Sequence, residues 1–248
     1  MPDGLRLAIG TLTRLPVPAP RQVNRSTAGI AMSLAPLVGL VLAIVCGLPL
    51  LITRDRPLLA LVLSVCAFAL LAWATRALHL DGLADTADAL GSGKPAEAAL
   101  AIARRSDIGP FGVIVLMFAL LVDVAAVASF TAPRDAYLTF VIAIVTSRIA
   151  LTWACTRLWP AARPDGLGAV VAASVPSVVA LVWTIAGLGF AWWLLGAMAA
   201  VAAVIGLLSG VVILEIARRR LGGITGDVLG ATIETCVATT LLAIALLS

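Results

Sequence analysis

Charge is what this chain has least of. Only 12% of its 248 residues are charged, 17 basic and 13 acidic, against 62% hydrophobic and a mean hydropathy of +1.11. A soluble domain carries about 25% charged residues, so a freely soluble globule is excluded and a polytopic membrane protein is indicated. Alternating ten-residue strands are missing, which excludes a β-barrel. No repeat of 20–50 residues occurs, so array folds are excluded and an inverted-repeat transporter is disfavoured. The cysteines (Cys46, Cys66, Cys155, Cys236) all lie in apolar runs without a Cys-x-x-Cys pair. They read as small core residues rather than reactive thiols. Residues 1–27 carry Arg6, Arg14, Arg21 and Arg25 and lack the apolar core and small-residue site of a cleavable leader. The first apolar run is therefore expected to serve as the first span.

What is present is a succession of such runs. A spanning helix needs about 20 mostly apolar residues, and seven stretches qualify: 28–53, 58–78, 110–130, 137–155, 176–191, 192–214 and 228–247. The fifth and sixth form one run too long for a single crossing; a division near Gly187-Leu188-Gly189 is expected, and six spans is the alternative. The expected fold class is all-α: a polytopic integral membrane helical bundle forming one domain over 1–248. Basic residues orient it. With the N-terminus cytoplasmic, Arg6, Arg14, Arg21, Arg25, Arg76, Lys94, Arg104, Arg105, Arg157, Arg163 and Arg218–Arg220 lie inside. Arg54, Arg56 and Arg134 lie outside, and Arg148 falls within a span. This places the C-terminus outside. The net charge of +4 does not point to nucleic acid, because the basic residues flank spans. The lipid bilayer is the expected partner, and a homo-oligomer or contact with enzymes of the same pathway is compatible with it.

The chemistry sits on the cytoplasmic side, in segments 79–109 and 215–234. LHLDGLADTADALGSG (78–93) sets Asp81, Asp85 and Asp88 beside the only histidine, His79. If the second span continues as a helix, the three acids fall at i, i+4 and i+7 on one face. Carboxylates so close repel unless a cation holds them, and hard oxygens suit Mg²⁺ shared with phosphate. A solvated helix end is the plainer alternative. RRSDIGPFG (104–112) adds Arg104, Arg105 and Asp107; arginine forks match phosphate oxygens, although a positive-inside anchor explains them equally. Gly222-Gly223-Ile224-Thr225-Gly226-Asp227 offers amides, a hydroxyl and a carboxylate before a helix start. It lacks the lysine of a Walker loop and could be a simple turn. Asp123, Arg148 and Glu234 interrupt apolar runs, where ionisable groups face a bundle interior. Glu234 lies two turns after Asp227, and Arg148 is the internal candidate to pair with a carboxylate or phosphate.

These pieces together resemble the cobalamin-5′-phosphate synthase (adenosylcobinamide-GDP ribazoletransferase) family over nearly the whole chain. The matching stretches are TRLPVP (13–18), PLVGL (36–40), HLDGLADTADALGSG (79–93), SDIGPFG (106–112), DGLG (165–168) and GGITGDVLGATIE (222–234). Two departures stand out. Relatives commonly read Asp-Ser-Arg where this chain has Arg105-Ser106-Asp107, and Ala89 replaces a usual glycine. The resemblance implies that α-ribazole or its 5′-phosphate joins adenosylcobinamide-GDP with release of GMP, with Mg²⁺ as cofactor. On this reading Asp81, Asp85, Asp88, Asp107, Asp227 and Glu234 hold metal. Arg104, Arg105, Gly222, Gly223, Thr225 and Gly226 meet phosphate. Asp88, His79 and Arg148 are the catalytic candidates, Asp88 or His79 taking the hydroxyl proton. A CDP-alcohol phosphotransferase is the nearest rival, but Asp85 stands where its pattern needs arginine. An aspartate-rich prenyltransferase and an ion-coupled transporter using Asp123, Arg148 and Glu234 are weaker rivals.

Overall fold

The computed structural model describes residues 1–52, 56–105 and 107–248. Arg54, one of the outer basic residues, the end of the 28–53 stretch, and Ser106 of the Arg-Ser-Asp exchange lie outside the described residues. Among those described, the chain is helical, with one short parallel bridge, Ala161 to Ile224. An amphipathic helix, α1 (Asp3–Leu12), precedes α2 (Arg25–Ser33) and α3 (Ala35–Cys46), a pair bent by 42° that is together long and apolar enough for a crossing. The bend has a cause in Pro36. Proline cannot donate to the carbonyl four residues earlier, and that carbonyl, Met32 O, accepts instead from Thr152 Oγ1 at 3.1 Å. A 3₁₀ turn (Leu48–Leu51) leads towards α4 (Pro57–Ala74).

Two helices then pack at one end of the bundle, α5 (Leu78–Gly91) and α6 (Ala96–Ile102). The remaining spans are α7 (Pro110–Ala128), α8 (Pro133–Ala154), α10 (Ser177–Leu195), α11 (Ala197–Leu221) and α12 (Gly226–Leu247), with a short α9 (Gly166–Val171) between α8 and α10. Proline opens α4, α7 and α8, where its missing N–H costs nothing. Among the described residues six helices are long and apolar enough to cross a membrane, or seven if the bent pair is one span.

Two boundaries differ from the sequence expectation. The long apolar run divides at Gly196, not at Gly187-Leu188-Gly189. Gly196 takes φ +84° and ψ −172°, a conformation open to glycine alone. Glycines 187 and 189 merely stay helical, and a Cβ on Gly187 would strike Ile149. The second span stops at Ala74, because Arg76 (φ 57°) and Ala77 (φ 53°) are both left-handed. Asp81, Asp85 and Asp88 therefore belong to a separate helix, α5, with their spacing retained.

The bundle is built around α8. Every residue from Thr139 to Thr152 is buried, so this helix is enclosed all round and can carry polar groups away from lipid. Most of α12 is buried as well, whereas α10 buries only Ala180 and Ala191 and turns large apolar side chains outward. Trp192 and Trp193 are exposed beside Gly196, the position of an aromatic belt at a membrane interface.

Candidate active site

The site begins at the left-handed turn between α4 and α5. Non-glycine residues pay about 1–2 kcal/mol each for this conformation, and several contacts hold it. Ala77 N donates to Ala72 O (2.7 Å), the Arg76 guanidinium to Gly10 O (2.9 Å), and Arg14 N to Ala74 O (2.7 Å). The Arg14 guanidinium also lies 4.2 Å over the Trp73 ring. The TRLPVP stretch thus clamps the turn that aims α5.

From that turn α5 crosses α12 backbone to backbone. A Cβ on Gly82 would lie 2.8 Å from Asp227 O, and one on Gly230 would lie 2.9 Å from His79 O. Only glycine at both positions permits the approach. It brings Asp81 and Asp227, from distant parts of the chain, to one cavity of about 270 Å³ that His79, Arg163 and Gly226 also line. Asp227 is fixed further by Thr225, whose Oγ1 donates to Asp227 Oδ2 (3.2 Å) and accepts from Val228 N (3.2 Å) as the cap of α12.

The three aspartates of α5 do not converge on one point. Asp88 is buried and turns to the start of α7, where Gly109 N and Gly112 N donate to its two oxygens at 2.7 and 2.9 Å. A Cβ on either glycine would meet that carboxylate at 2.4 Å, so the SDIGPFG stretch is the cradle of Asp88. The expectation of an Asp81–Asp85–Asp88 cage is corrected accordingly: two backbone amides at a helix N-terminus already satisfy Asp88. Asp85 behaves differently. Burial, then the negative charges of Asp81, Asp227 and Asp88, push its carboxyl up to about 6.

Such mutual repulsion marks a concentration of hard oxygen donors suited to a divalent cation. Among the described residues no three acidic, histidine or cysteine side chains converge to ligating distance. The set fits Mg²⁺ nonetheless, because that ion commonly takes one or two carboxylates and completes its shell with water and phosphate oxygens. Asp81 and Asp227, lining the same cavity, are the pair placed for it.

Next to this cavity is a buried polar group within the bundle. Arg148, on α8, donates to Ser147 Oγ (2.8 Å) and reaches His79 Nδ1 (3.3 Å). A guanidinium can only donate, so Nδ1 accepts and the ring proton resides on Nε2. Burial and the Arg148 charge hold His79 well below its usual pKa of 6.5. The ring is therefore neutral, and its 3.9 Å approach to Glu234 Oε1 is not a charged pair. Glu234, equally buried, lies near enough to interact with Arg148. Gly39 of the PLVGL stretch makes the room, since a Cβ there would meet Arg148 Cγ at 2.8 Å. Arg148 is 1% exposed, which makes it a support for His79 rather than a group open to incoming phosphate.

The remaining candidates separate from the cavity. Arg104 donates twice to Asp165 (2.9 and 3.0 Å), which ties α6 to the DGLG stretch. Arg105 and Asp107 are exposed. Gly222 (φ +88°) and Gly223 (φ +155°) shape a loop that docks on Pro160, whose carbonyl accepts from Ile224 N at 2.8 Å. A Cβ on Gly223 would lie 2.1 Å from that carbonyl oxygen, so the glycines serve chain packing here rather than a phosphate cradle. Asp123 is buried within α7.

The residue that sequence reading missed is Arg163, counted only as a topological charge. It lies 3.9 Å from Asp227 Oδ2 and lines the cavity. Its proximity to the DGLG stretch was the available signal.

A family profile described as cobalamin-5-phosphate synthase matches residues 4–245. An adenosylcobinamide-GDP ribazoletransferase of Frankia casuarinae is 40% identical over 97% of this chain and 94% of its own length. One of a Nocardioides species is 40% identical over 98% of both chains, and one of Rhizobium etli 36% identical over 96% and 94%. No solved structure matches. With a family profile spanning nearly the whole chain and relatives 40% identical along it, the chain belongs to the cobalamin-5-phosphate synthase family.

Proposed function

We propose that this membrane protein transfers the corrinoid-side phosphoryl group of adenosylcobinamide-GDP to α-ribazole or its 5′-phosphate, releasing GMP. The observation that carries the reading is the single cavity to which the glycine crossing brings Asp81 and Asp227, in a chain of this family. The ribazole hydroxyl oxygen forms a bond to phosphorus, the bond from that phosphorus to the GMP oxygen breaks, and the hydroxyl proton leaves. Positioning and charge neutralisation dominate such a transfer. Mg²⁺, held by Asp81 and Asp227, would supply neutralisation of the diphosphate. Asp85, half-buried on the same helix as Asp81, accepts the hydroxyl proton. Asp88 fixes α5 against α7, and Arg148 with Glu234 fixes His79 at the cavity wall. The membrane is the cell membrane, with the N-terminus and this face in the cytoplasm, where nucleotide substrates are found.

The test uses membranes containing the protein, supplied with adenosylcobinamide-GDP and α-ribazole. Cobalamin should form, should require Mg²⁺, and should fall by on the order of a hundredfold in Asp81→Asn and Asp85→Asn with membrane insertion unchanged. Normal turnover in chelator would remove the metal role. Absence of cobalamin formation by the wild type would remove the reading itself.

A further inference from the structure

Arg163 has a feature that neither the packing nor its neighbours account for. Its side chain is only 18% exposed, yet Nε and Nη1 are buried without a hydrogen-bond partner. Its sole ion pair among the described residues, Nη2 to Asp227 Oδ2, is a long 3.9 Å. A guanidinium has five donors and no acceptor; Nε and Nη1 are enclosed, and Nη2, held only by the long contact to Asp227, is the nitrogen open to an anion. The backbone holds the group in place. Pro164 confines Arg163 to extended conformations, and its neighbours are stitched to the 222–227 loop by Ala162 N donating to Ile224 O (3.0 Å) and Ile224 N to Pro160 O (2.8 Å).

Arg163 also sits on a boundary. It lines the cavity of Asp81 and Asp227, and it lines a second cavity of about 540 Å³ between α6 and α11, with Glu97, Leu100, Ala101 and Leu221 on its walls. The nearby Arg104 is committed to Asp165, which leaves Arg163 as the cation facing both spaces. From this we infer that Arg163 is the anchor for a nucleoside diphosphate, its guanidinium bridging the phosphates at the junction while the nucleoside occupies the outer cavity. The two N–H bonds of Nη2 suit phosphate oxygens, and Leu100 and Leu221 on the walls of the outer cavity suit the face of a base. The identity of the nucleotide as the GDP end of the corrinoid rests on the ribazoletransferase reading; the anion site does not.

The experiment measures binding of GDP and of inorganic pyrophosphate to the detergent-purified protein, with Mg²⁺, by titration calorimetry. Wild type, Arg163→Lys, Arg163→Gln and Ala101→Trp are compared, with melting midpoints as the folding control. Arg163→Gln should weaken both ligands by about tenfold or more, and Arg163→Lys should recover part of the loss. Ala101→Trp, which fills the outer cavity from its exposed wall, should weaken GDP and spare pyrophosphate. Wild-type affinity in Arg163→Gln, with or without a lowered midpoint, would show a structural ion pair and overturn the anchor, as would a wild type that binds neither ligand. Unchanged GDP affinity in Ala101→Trp would overturn the placement of the nucleoside. A wild type that binds GDP through Arg163 but makes no cobalamin would overturn the transferase reading and uphold the anion site.

Discussion

Asp85 and Asp88 occupy one helix, three residues apart, and their surroundings give them opposite work. Asp88 accepts from two backbone amides at the start of α7; Asp85 faces other carboxylates. Asp88→Ala removes a helix cap, so a stability loss of about 1–2 kcal/mol is expected, read as a lowered denaturation midpoint. An unchanged midpoint would show that α7 needs no such cap. For Asp85 the effect depends on pH. Its carboxyl titrates near 3.8 in an unfolded chain and near 6 in the fold. Between those values the folded state binds more protons, so without a divalent cation this group makes stability fall as pH rises through that window. A cation among the carboxylates opposes the repulsion. Mg²⁺ should therefore raise the melting midpoint more at about pH 7.5 than at about pH 5.5, where protons compete. In chelator, Asp85→Asn should flatten the acid side of the profile. A midpoint indifferent to Mg²⁺ at the higher pH would argue against the cation site.

At the scale of elements, the site is made by two helices meeting without side chains between them. Gly82→Val places atoms where a Cβ already stands 2.8 Å from the Asp227 carbonyl, and backbone cannot yield as a flexible side chain can. Overpacking costs about 1–3 kcal/mol, which a bundle with the rest of its core intact tolerates. Activity is far more sensitive, since parting Asp81 from Asp227 by about 1 Å is expected to cost on the order of a hundredfold. A folded Gly82→Val protein with near-normal turnover would show that the crossing does not set the site. The sequence announced this crossing only as two glycine-containing motifs; their contact is tertiary and has no local signature. Apolar length revealed the spans, and helical spacing placed the α5 acids correctly relative to one another. Neither could reveal the break at Arg76 and Ala77, where no glycine, asparagine or proline signals a turn. Hydropathy is likewise blind to φ, so Gly196 looked no different from Gly187. Asp88 was misread because its partners are amides 21 and 24 residues away, and a backbone donor leaves no trace in residue identity. Arg163 was overlooked because a basic residue between spans is already explained by topology.

For the whole molecule, the structure gathers at one end the segments that carry the basic residues. The Arg25 guanidinium donates to Ala172 O and Ala173 O, Arg76 to Gly10 O, and Arg104 to Asp165. These contacts bring the N-terminal region, the α5–α6 segment and the α8–α10 connection together at the end that holds the cavity. An excess of arginine beside spans is retained in the cytoplasm, so the proposed orientation has the cavity facing nucleotide-rich solution and Trp192 and Trp193 at the opposite interface. The number of crossings then decides where the chain ends. Counting α2 and α3 as one bent span gives seven and puts Ser248 across the membrane from Asp3. If the bent pair re-entered the side it came from, the six remaining crossings would return Ser248 to the side of Asp3, and the strong basic bias would no longer be consistent from connection to connection. A reporter fused after Ser248 that functions only outside the cytoplasm should therefore be active, and one that functions only in the cytoplasm should be silent. The reverse pattern would make α2–α3 a re-entrant hairpin, with its bend at Pro36 reached from the cytoplasmic face.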